Sequence, residues 1–466
     1  MQLAIIGRIS SSKSTLVNAI LGKDGIVATG QLEITFNVSW LKYGKSTDPF
    51  IVHFKNGTTK EMKKDESWEQ WTSRQKGTNL KTDVSYIEAF YDAEILKEIN
   101  IIDTPGLDAQ MGTDSQNTLN FLKIQKPDAV LMLFTKSIAN NILQVVQQFN
   151  MGGGFNPINA MGVLAKTDTL WHTDEKEIHT FSIGLKIING LINRNPSLKD
   201  TVFNIYPISA MMFLASQTMT DNDFASLKKL SLVKESIFEC MCDSAAGFID
   251  PDYEIPVTIE ERKALFDKLG RYAIYLIVHL MKENDSVTLN DIKKIIRAES
   301  GANEFMKVIN EHFGERSKLI KAESVFRDLS KESSNLRATL EYNHRFLPVI
   351  ENIEQQLSDI FKDLIHFHRE YELISLIYNK QIDLEQPFAD EFCRLYEKSG
   401  DLPSIRLGIT DDSCSLEELI LVAKERERQW RIEVNLEFDK ELKGWKKVIR
   451  DSYTYLWYDL KQKINK

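Results

Sequence analysis

The sequence predicts an α/β fold in its first part, with a mostly parallel central sheet around a phosphate loop, followed by an all-α helical part. Three observations predict it. Residues 2–20, QLAIIGRISSSKSTLVNAI, read as strand, tight loop, Lys-Ser and helix. Short continuous apolar runs such as Val130–Phe134, the pattern of strands buried on both faces, alternate with helical stretches. From Glu260 onward apolar residues recur at three- and four-residue steps and strand patterns stop.

The bulk composition sets the class. A chain of 466 residues, 42% hydrophobic and 27% charged, has material for two or three domains of ordinary globular kind. The formal net charge of −9 argues against general nucleic-acid binding. Cys240, Cys242, Cys393 and Cys414 are scattered without metal-ligand spacing, which fits buried thiols in a reducing compartment. His366 and His368 fall on different faces of a helix, so a shared metal is not expected. Met1 is followed at once by the first strand, which leaves no signal peptide to expect. The longest apolar run, Tyr272–Met281, is far short of the ~20 residues that cross a bilayer.

In order, strand Gln2–Ile6 leads into Gly7, a Ser-rich turn and Lys13-Ser14-Thr15, with helical pattern from Leu16. Backbone N–H groups of such a loop and helix start converge on phosphates. Gly7, Ser11, Ser12, Lys13, Ser14 and Thr15 are the expected phosphate cradle, with Lys13 reaching the β- and γ-phosphates and the Ser14 hydroxyl on Mg²⁺. The pattern G-x-x-x-x-G-K-[ST] asks for glycine where Ser12 stands. If that position takes positive φ, a serine there costs about 1–3 kcal/mol.

Thr35 lies in the loop before strand 38–43, at the place where a first switch completes the Mg²⁺ shell and senses the γ-phosphate. Ile51–Phe54, Asn56-Gly57 and Thr58-Thr59 predict a hairpin. A polar stretch to Thr82 and a strand Val84–Phe90 follow. The run IIDTPGL then ends a buried strand at Asp103, expected to hold Mg²⁺ through water, and places the Gly106 N–H against the γ-phosphate. A helix over 138–148 and a strand Met161–Leu164 precede Ala165-Lys166-Thr167-Asp168. There Asp168 can accept both N1–H and the exocyclic amine of guanine, which adenine cannot supply, and the Lys166 stem covers the base face. Strand Val202–Tyr206 leads into Pro207-Ile208-Ser209-Ala210, where a backbone N–H of Ser209 or Ala210 would meet guanine O6. Four loops at the carboxyl ends of parallel strands, in this order, predict a P-loop GTPase domain that takes GTP and Mg²⁺.

Residues 211–260 read as mixed. Helices are expected over Glu260–Lys282, Thr288–Arg297 and Gly301–Phe313, and onward from Glu315. The rest is nearly all helix, with Leu347, Ile350, Ile353, Leu357 and Ile360 on a stripe and a break over 399–412. Ser415-Leu-Glu-Glu418 is a capping box opening one long last helix to Ile464, with Trp430, Val434, Phe438, Leu442, Trp445 and Ile449 on one face. These stripes suit the core of an antiparallel bundle, or a surface used for self-assembly or membrane contact. The basic residues around Trp445 read as a solvated face.

The motifs GRISSSKSTLVNAILG, IIDTPGL, AKTD and PISA, ahead of a helical half, resemble those of bacterial dynamin-like large GTPases. The segment from Ser300 to Leu329 is similar to the region that joins such a GTPase domain to its stalk. The resemblance covers residues 1–330 with specific motifs and implies a GTPase domain over 1–322 and a helical bundle or stalk over 323–466. It implies GTP hydrolysis coupled to pairing of GTPase domains, in a homo- or heterodimer, and to membrane remodelling or surveillance. Location would be cytoplasmic, peripheral to the inner face of the membrane. Catalysis would rest on Lys13, Thr35 and Gly106, with Ser14, Thr35 and Asp103 at the metal and Ser10 helping to hold a monovalent cation. Three departures stand out: Ser12, Ala165 in place of the usual Asn, and the lack of a helix before the first strand, which implies another start site or a shortened stalk. Eukaryotic dynamins position water with a Gln where Ile9 stands here, so backbone groups or a partner would do so. The alternative is a degenerate GTP-binding scaffold that pairs with a competent subunit. A ribosome- or RNA-associated GTPase is disfavoured by the acidic balance.

Overall fold

The computed structural model describes residues 1–8, 10–27, 37–45, 47–62, 71, 83–106, 120–122, 124–135, 159–171, 179–198, 202, 204–310, 313, 317–340, 344–378, 382–397, 403–409 and 414–464. Two compact units divide the chain, Met1–Gly314 and Glu315–Lys466. The expected boundary at 322/323 falls later, inside the helix Ser317–Thr339.

The first unit is built on a sheet of nine strands among the described residues. They are β1 (Gln2–Gly7), β2 (Val38–Tyr43), β3 (Phe50–Phe54), β4 (Thr59–Met62), β5 (Val84–Tyr91), β6 (Asn100–Asp103), β7 (Ala129–Phe134), β8 (Ala160–Ala165) and β9 (Ile205–Ile208). Their order is β4-β3-β5-β2-β6-β1-β7-β8-β9. From β6 to β9 every neighbouring pair is parallel. β2 joins β6 antiparallel and β5 parallel, and β3 and β4 extend the far edge as an antiparallel hairpin. β7 and β8 are buried along their whole length, which is why they read as continuous apolar runs. On one face Ala4, Ile6, Trp40, Ile102, Met132 and Leu164 pack against Ile188 and Leu191.

The last strand sits later than its sequence pattern suggests. Pro207 and Ile208 belong to β9, and a proline is tolerated because β9 is the sheet edge and needs no ladder N–H on its outer side. Helix α1 (Lys13–Leu21) starts earlier than the apolar pattern and includes Ser14 and Thr15. Helix α2 (Thr180–Arg194) covers the β8–β9 side.

The stretch read as mixed is helical: α3 (Ala210–Thr218), α4 (Asp221–Ser231), α5 (Glu235–Cys242) and the short α6 (Ala245–Phe248). With α7 (Ile259–Glu283) and α8 (Leu289–Glu299) they enclose a second core around Trp171, Phe238, Leu265 and Ile277. Capping boxes Thr220/Asp223, Thr258/Glu261 and Thr288/Asp291 start α4, α7 and α8. The expected single helix over 260–282 is interrupted at Gly270, with φ 72° and ψ 170°. Helix α9 (Ala302–Val308) follows. Of the thiols, Cys242 is buried and pushed up to about 12 by burial, but Cys240, expected to be buried, is exposed.

The second unit contains α10 (Ser317–Thr339), α11 (Leu347–Tyr378), α12 (Gln386–Glu397), α13 (Pro403–Leu407), α14 (Leu416–Leu436) and α15 (Lys440–Ile464). The expected capping box opens α14: Ser415 Oγ accepts from Glu418 N, and Glu418 Oε2 accepts from Ser415 N. The single last helix of the sequence reading is instead a hairpin. Glu437 Oε1 accepts from the N–H groups of Phe438 and Asp439, and Asp439 Oδ1 accepts from Leu442 N, so the acidic side chains end one helix and cap the next. Phe438 therefore leaves the shared face and is 94% exposed. At the bundle core Trp430 Nε1 and Tyr453 Oη both donate to Glu391 Oε1, at 3.1 and 2.7 Å, tying α12, α14 and α15 together. His366 Nε2 lies 3.1 Å from Glu370 Oε1, and the ring stacks on Tyr455 at 4.5 Å.

Candidate functional site

Parallel pairing puts the carboxyl ends of β1, β6, β8 and β9 at one edge of the sheet. Ile5 faces Asp103 in register, and Ala165 faces Ile208. The four expected loops therefore open on one side, as open α/β sheets require of a ligand site.

At the phosphate end, the turn after Gly7 is tight. A Cβ on Gly7 would stand 2.6 Å from Ser11 Oγ and 2.7 Å from the Leu133 carbonyl oxygen, so no larger residue fits. Ser11 Oγ donates to Arg8 O at 2.8 Å. Ser10 and Ser12 both take left-handed backbone, with φ 58° and 66°. Left-handed residues alternating with ordinary ones curl the backbone into a concavity whose N–H groups face inward. The positive φ anticipated at Ser12 is thus present, and Ser10 shares it. Lys13 is buried, and its Nζ donates to the carbonyls of Arg8 at 2.9 Å and Gly7 at 3.3 Å.

Next to it, Ser14 Oγ donates to Asp103 Oδ2 at 2.9 Å. Asp103 is fully buried, and burial pushes its carboxyl up to about 6 against the opposing pull of Lys13, Ser14 and the Thr104 N–H. Its Oδ1 is buried without a hydrogen-bond partner among the described residues. A hard-oxygen donor pair of hydroxyl and carboxylate, with one buried carboxylate oxygen left over, fits Mg²⁺, which Ser14 and Asp103 would hold. Thr104 Oγ1 donates to Ile5 O at 2.7 Å, locking the end of β6 to β1, and Gly106 is buried beside it. Thr35 and Ile9 lie outside the described residues.

At the other end, Lys166 takes left-handed backbone, φ 61°, which turns the chain into a 3₁₀ turn over Thr167–Leu170. Asp168 is gripped by Ser209, whose Oγ donates to Oδ1 at 2.6 Å. Burial raises the Asp168 carboxyl, with that hydrogen bond opposing. Ser209 is itself fixed: it caps α3 by accepting from Met212 N, and its own N–H donates to Ser300 O at 2.9 Å. Of the two residues expected to offer an N–H to the base, Ser209 has thus committed its own, and Ala210 lines the cavity.

A cavity of about 1070 Å³ runs from Ser12 and Thr15 to Lys166, Asp168 and Ala210. It joins the two ends in one space with room for a nucleotide. One wall was not foreseen: Lys268, Gly270 and Arg271 from α7, with Met211 and Ser244. The signal in the sequence was a lone glycine inside a helical pattern, which marks either a weak helix or a close approach.

Residues 3–154 match the model of the Dynamin family. Over that stretch the chain is dynamin-like. This dynamin-like chain is 23% identical over 455 residues to the isoniazid-induced protein IniC of Mycobacterium tuberculosis, covering 92% of this chain and 84% of that protein. It is 34% identical over 124 residues to Dynamin-like protein 2 of Campylobacter jejuni, a stretch that spans 26% of this chain and 19% of that one. A solved structure of an oligomerised bacterial dynamin pair, described as a mechanism for long-range sensing and tethering of membranes, aligns over 100% of this chain and 69% of its own. Its identity is 16% and its TM-score 0.33. Among the described residues of this dynamin-like chain no helix is long and apolar enough to cross a membrane.

Proposed function

We propose that this chain binds GTP with Mg²⁺ in the cavity between the phosphate loop and Asp168 and hydrolyses it. We further propose that hydrolysis accompanies pairing of GTPase domains and acts on membrane, in remodelling or surveillance. The observation that carries the reading is the cavity that runs from Ser12 and Thr15, which flank Lys13 and the Asp103-bonded Ser14 in the chain, to a Ser209-gripped Asp168.

Each residue has a task in this reading. The Asp168 carboxylate accepts from N1–H and the exocyclic amine of guanine, while Lys166 covers the base and the Ala210 N–H meets O6. Lys13 exchanges the Arg8 and Gly7 carbonyls for β- and γ-phosphate oxygens, where its charge counters the charge gathering on the leaving group. Ser14, Asp103 and Thr35 hold Mg²⁺, which when bound neutralises phosphate charge. The Gly106 N–H reads the γ-phosphate, and Ser10 takes part in holding a monovalent cation during pairing.

Titration of a fluorescent GTP analogue with Mg²⁺ tests it, beside a Lys13→Ala variant. Native binding that GTP competes and ATP does not, with loss in the variant, is the expected result. Phosphate release stimulated by liposomes of anionic lipid is expected for the membrane part. Equal competition by ATP, or no binding at all, refutes the guanine reading.

A further inference from the structure

We infer that the kink at Gly270 is a wall of the base pocket, so that helix α7 and Met211, and not the loops after β8 and β9 alone, set how a guanine sits against Asp168. The inference rests on the GTP reading.

Gly270 has φ 72° and ψ 170°, a backbone region open essentially to glycine. It interrupts a helix of 25 residues that is otherwise continuous from its capping box at Thr258 to Glu283. Sharp kinks have identifiable causes, and at this glycine the surroundings also hold the break from both sides. Lys268 Nζ pairs with Asp223 Oδ2 at 2.7 Å just before it. Arg271, just after, donates to the carbonyls of Asp243 and Trp171 and lies over the Trp171 ring at 5.3 Å.

What the break achieves is close approach. A Cβ at position 270 would stand 2.5 Å from Met211 Cε and 3.7 Å from Asp168 Oδ2. Ser209 occupies Oδ1 of that carboxylate, which leaves the Gly270 side as the side of Oδ2. The base edge that carries the exocyclic 2-amine therefore meets the carboxylate beside a wall made of Gly270 backbone and the Met211 thioether. Substituents on that amine run into the wall.

The test uses the full chain and three ligands: GTP, GDP and ribose 5′-triphosphate, which lacks the base. For Gly270→Ala the expected result is a loss of tenfold or more in affinity for GTP and GDP alike, with ribose 5′-triphosphate unchanged. Met211→Ala opens the same wall without touching the backbone, and keeps the inference testable if Gly270→Ala does not fold. It is expected to improve binding of N2-benzyl-GTP relative to GTP by fivefold or more. Unchanged GTP affinity in Gly270→Ala, an equal loss of ribose 5′-triphosphate, or unchanged discrimination in Met211→Ala overturns the inference. A native chain that binds no guanine nucleotide overturns the GTP reading and this one with it; a native chain that binds GTP beside unaltered variants overturns the wall alone.

Discussion

Asp103→Asn is expected to stabilise the metal-free chain at neutral pH while removing its response to Mg²⁺. In the folded chain, burial pushes the Asp103 carboxyl up to about 6 from an ordinary value of 3.8. The folded state therefore favours the protonated acid. Its contribution to stability is fully present below the unfolded value and is lost as pH rises through about 6. The interval from 3.8 to about 6, at about 1.4 kcal/mol per pH unit, amounts to about 3 kcal/mol lost at pH 7.5. Asparagine removes the charge and can still accept from Ser14, but its amide replaces an oxygen, Oδ1, that has no hydrogen-bond partner among the described residues. An unpaired buried amide costs about 1 kcal/mol, so the net gain is about 2 kcal/mol. For a unit spanning Met1–Gly314 that is a rise of about 3 °C in melting midpoint. The assay is thermal and urea unfolding at pH 7.5 and at steps down to pH 4, with and without Mg²⁺. The gain should shrink as pH falls through 6 and reverse near pH 4, where Asp103 is protonated and only the cost of the unpaired amide remains, and Mg²⁺ should stabilise the native chain only. A variant less stable than native at pH 7.5, or a gain that does not change with pH, refutes the reasoning.

Ser12→Gly should stabilise the first unit by about 1 kcal/mol, because left-handed backbone costs a serine about 1–2 kcal/mol and glycine gives back part of that as unfolded-state entropy. A higher urea midpoint with an unchanged slope is the expected reading, and a lower one refutes it. Glu391→Ala leaves the Trp430 indole N–H and the Tyr453 hydroxyl without their shared acceptor, and should cost the helical unit about 2–4 kcal/mol. Denaturation followed by tryptophan fluorescence measures it, and a loss below about 1 kcal/mol means that the pair finds another acceptor.

The site was legible in the sequence where chemistry demands a residue type at a short spacing. Lys13-Ser14 lies next to a turn that only Gly7 permits, Asp103 ends a buried strand, and Asp168 follows β8; each could be placed from its own neighbourhood. Ser12 departs from the glycine of the pattern, and its backbone takes the positive φ that glycine would serve. Legibility failed where a residue acts through something distant in sequence. The Ser209 grip on Asp168 spans 41 positions, and commitment of the Ser209 N–H to Ser300 depends on how α8 ends. The pattern of the last helix runs past its true end because Phe438 falls on the right period by accident, whereas Glu437 and Asp439 compete for backbone N–H groups and stop the helix there.

By itself, then, the sequence determined the order of strands and loops, the residue types at both ends of the cavity and the helical character of the second half. Hydrophobic period and local backbone demands are short-range properties that a linear pattern carries. Tertiary structure alone decided that Gly270 breaks α7 rather than merely weakening it, and that this break stands against Asp168. A glycine inside a helical pattern is compatible with either outcome, and the choice is made by Asp223, Asp243 and Trp171, which hold Lys268 and Arg271 from outside the helix.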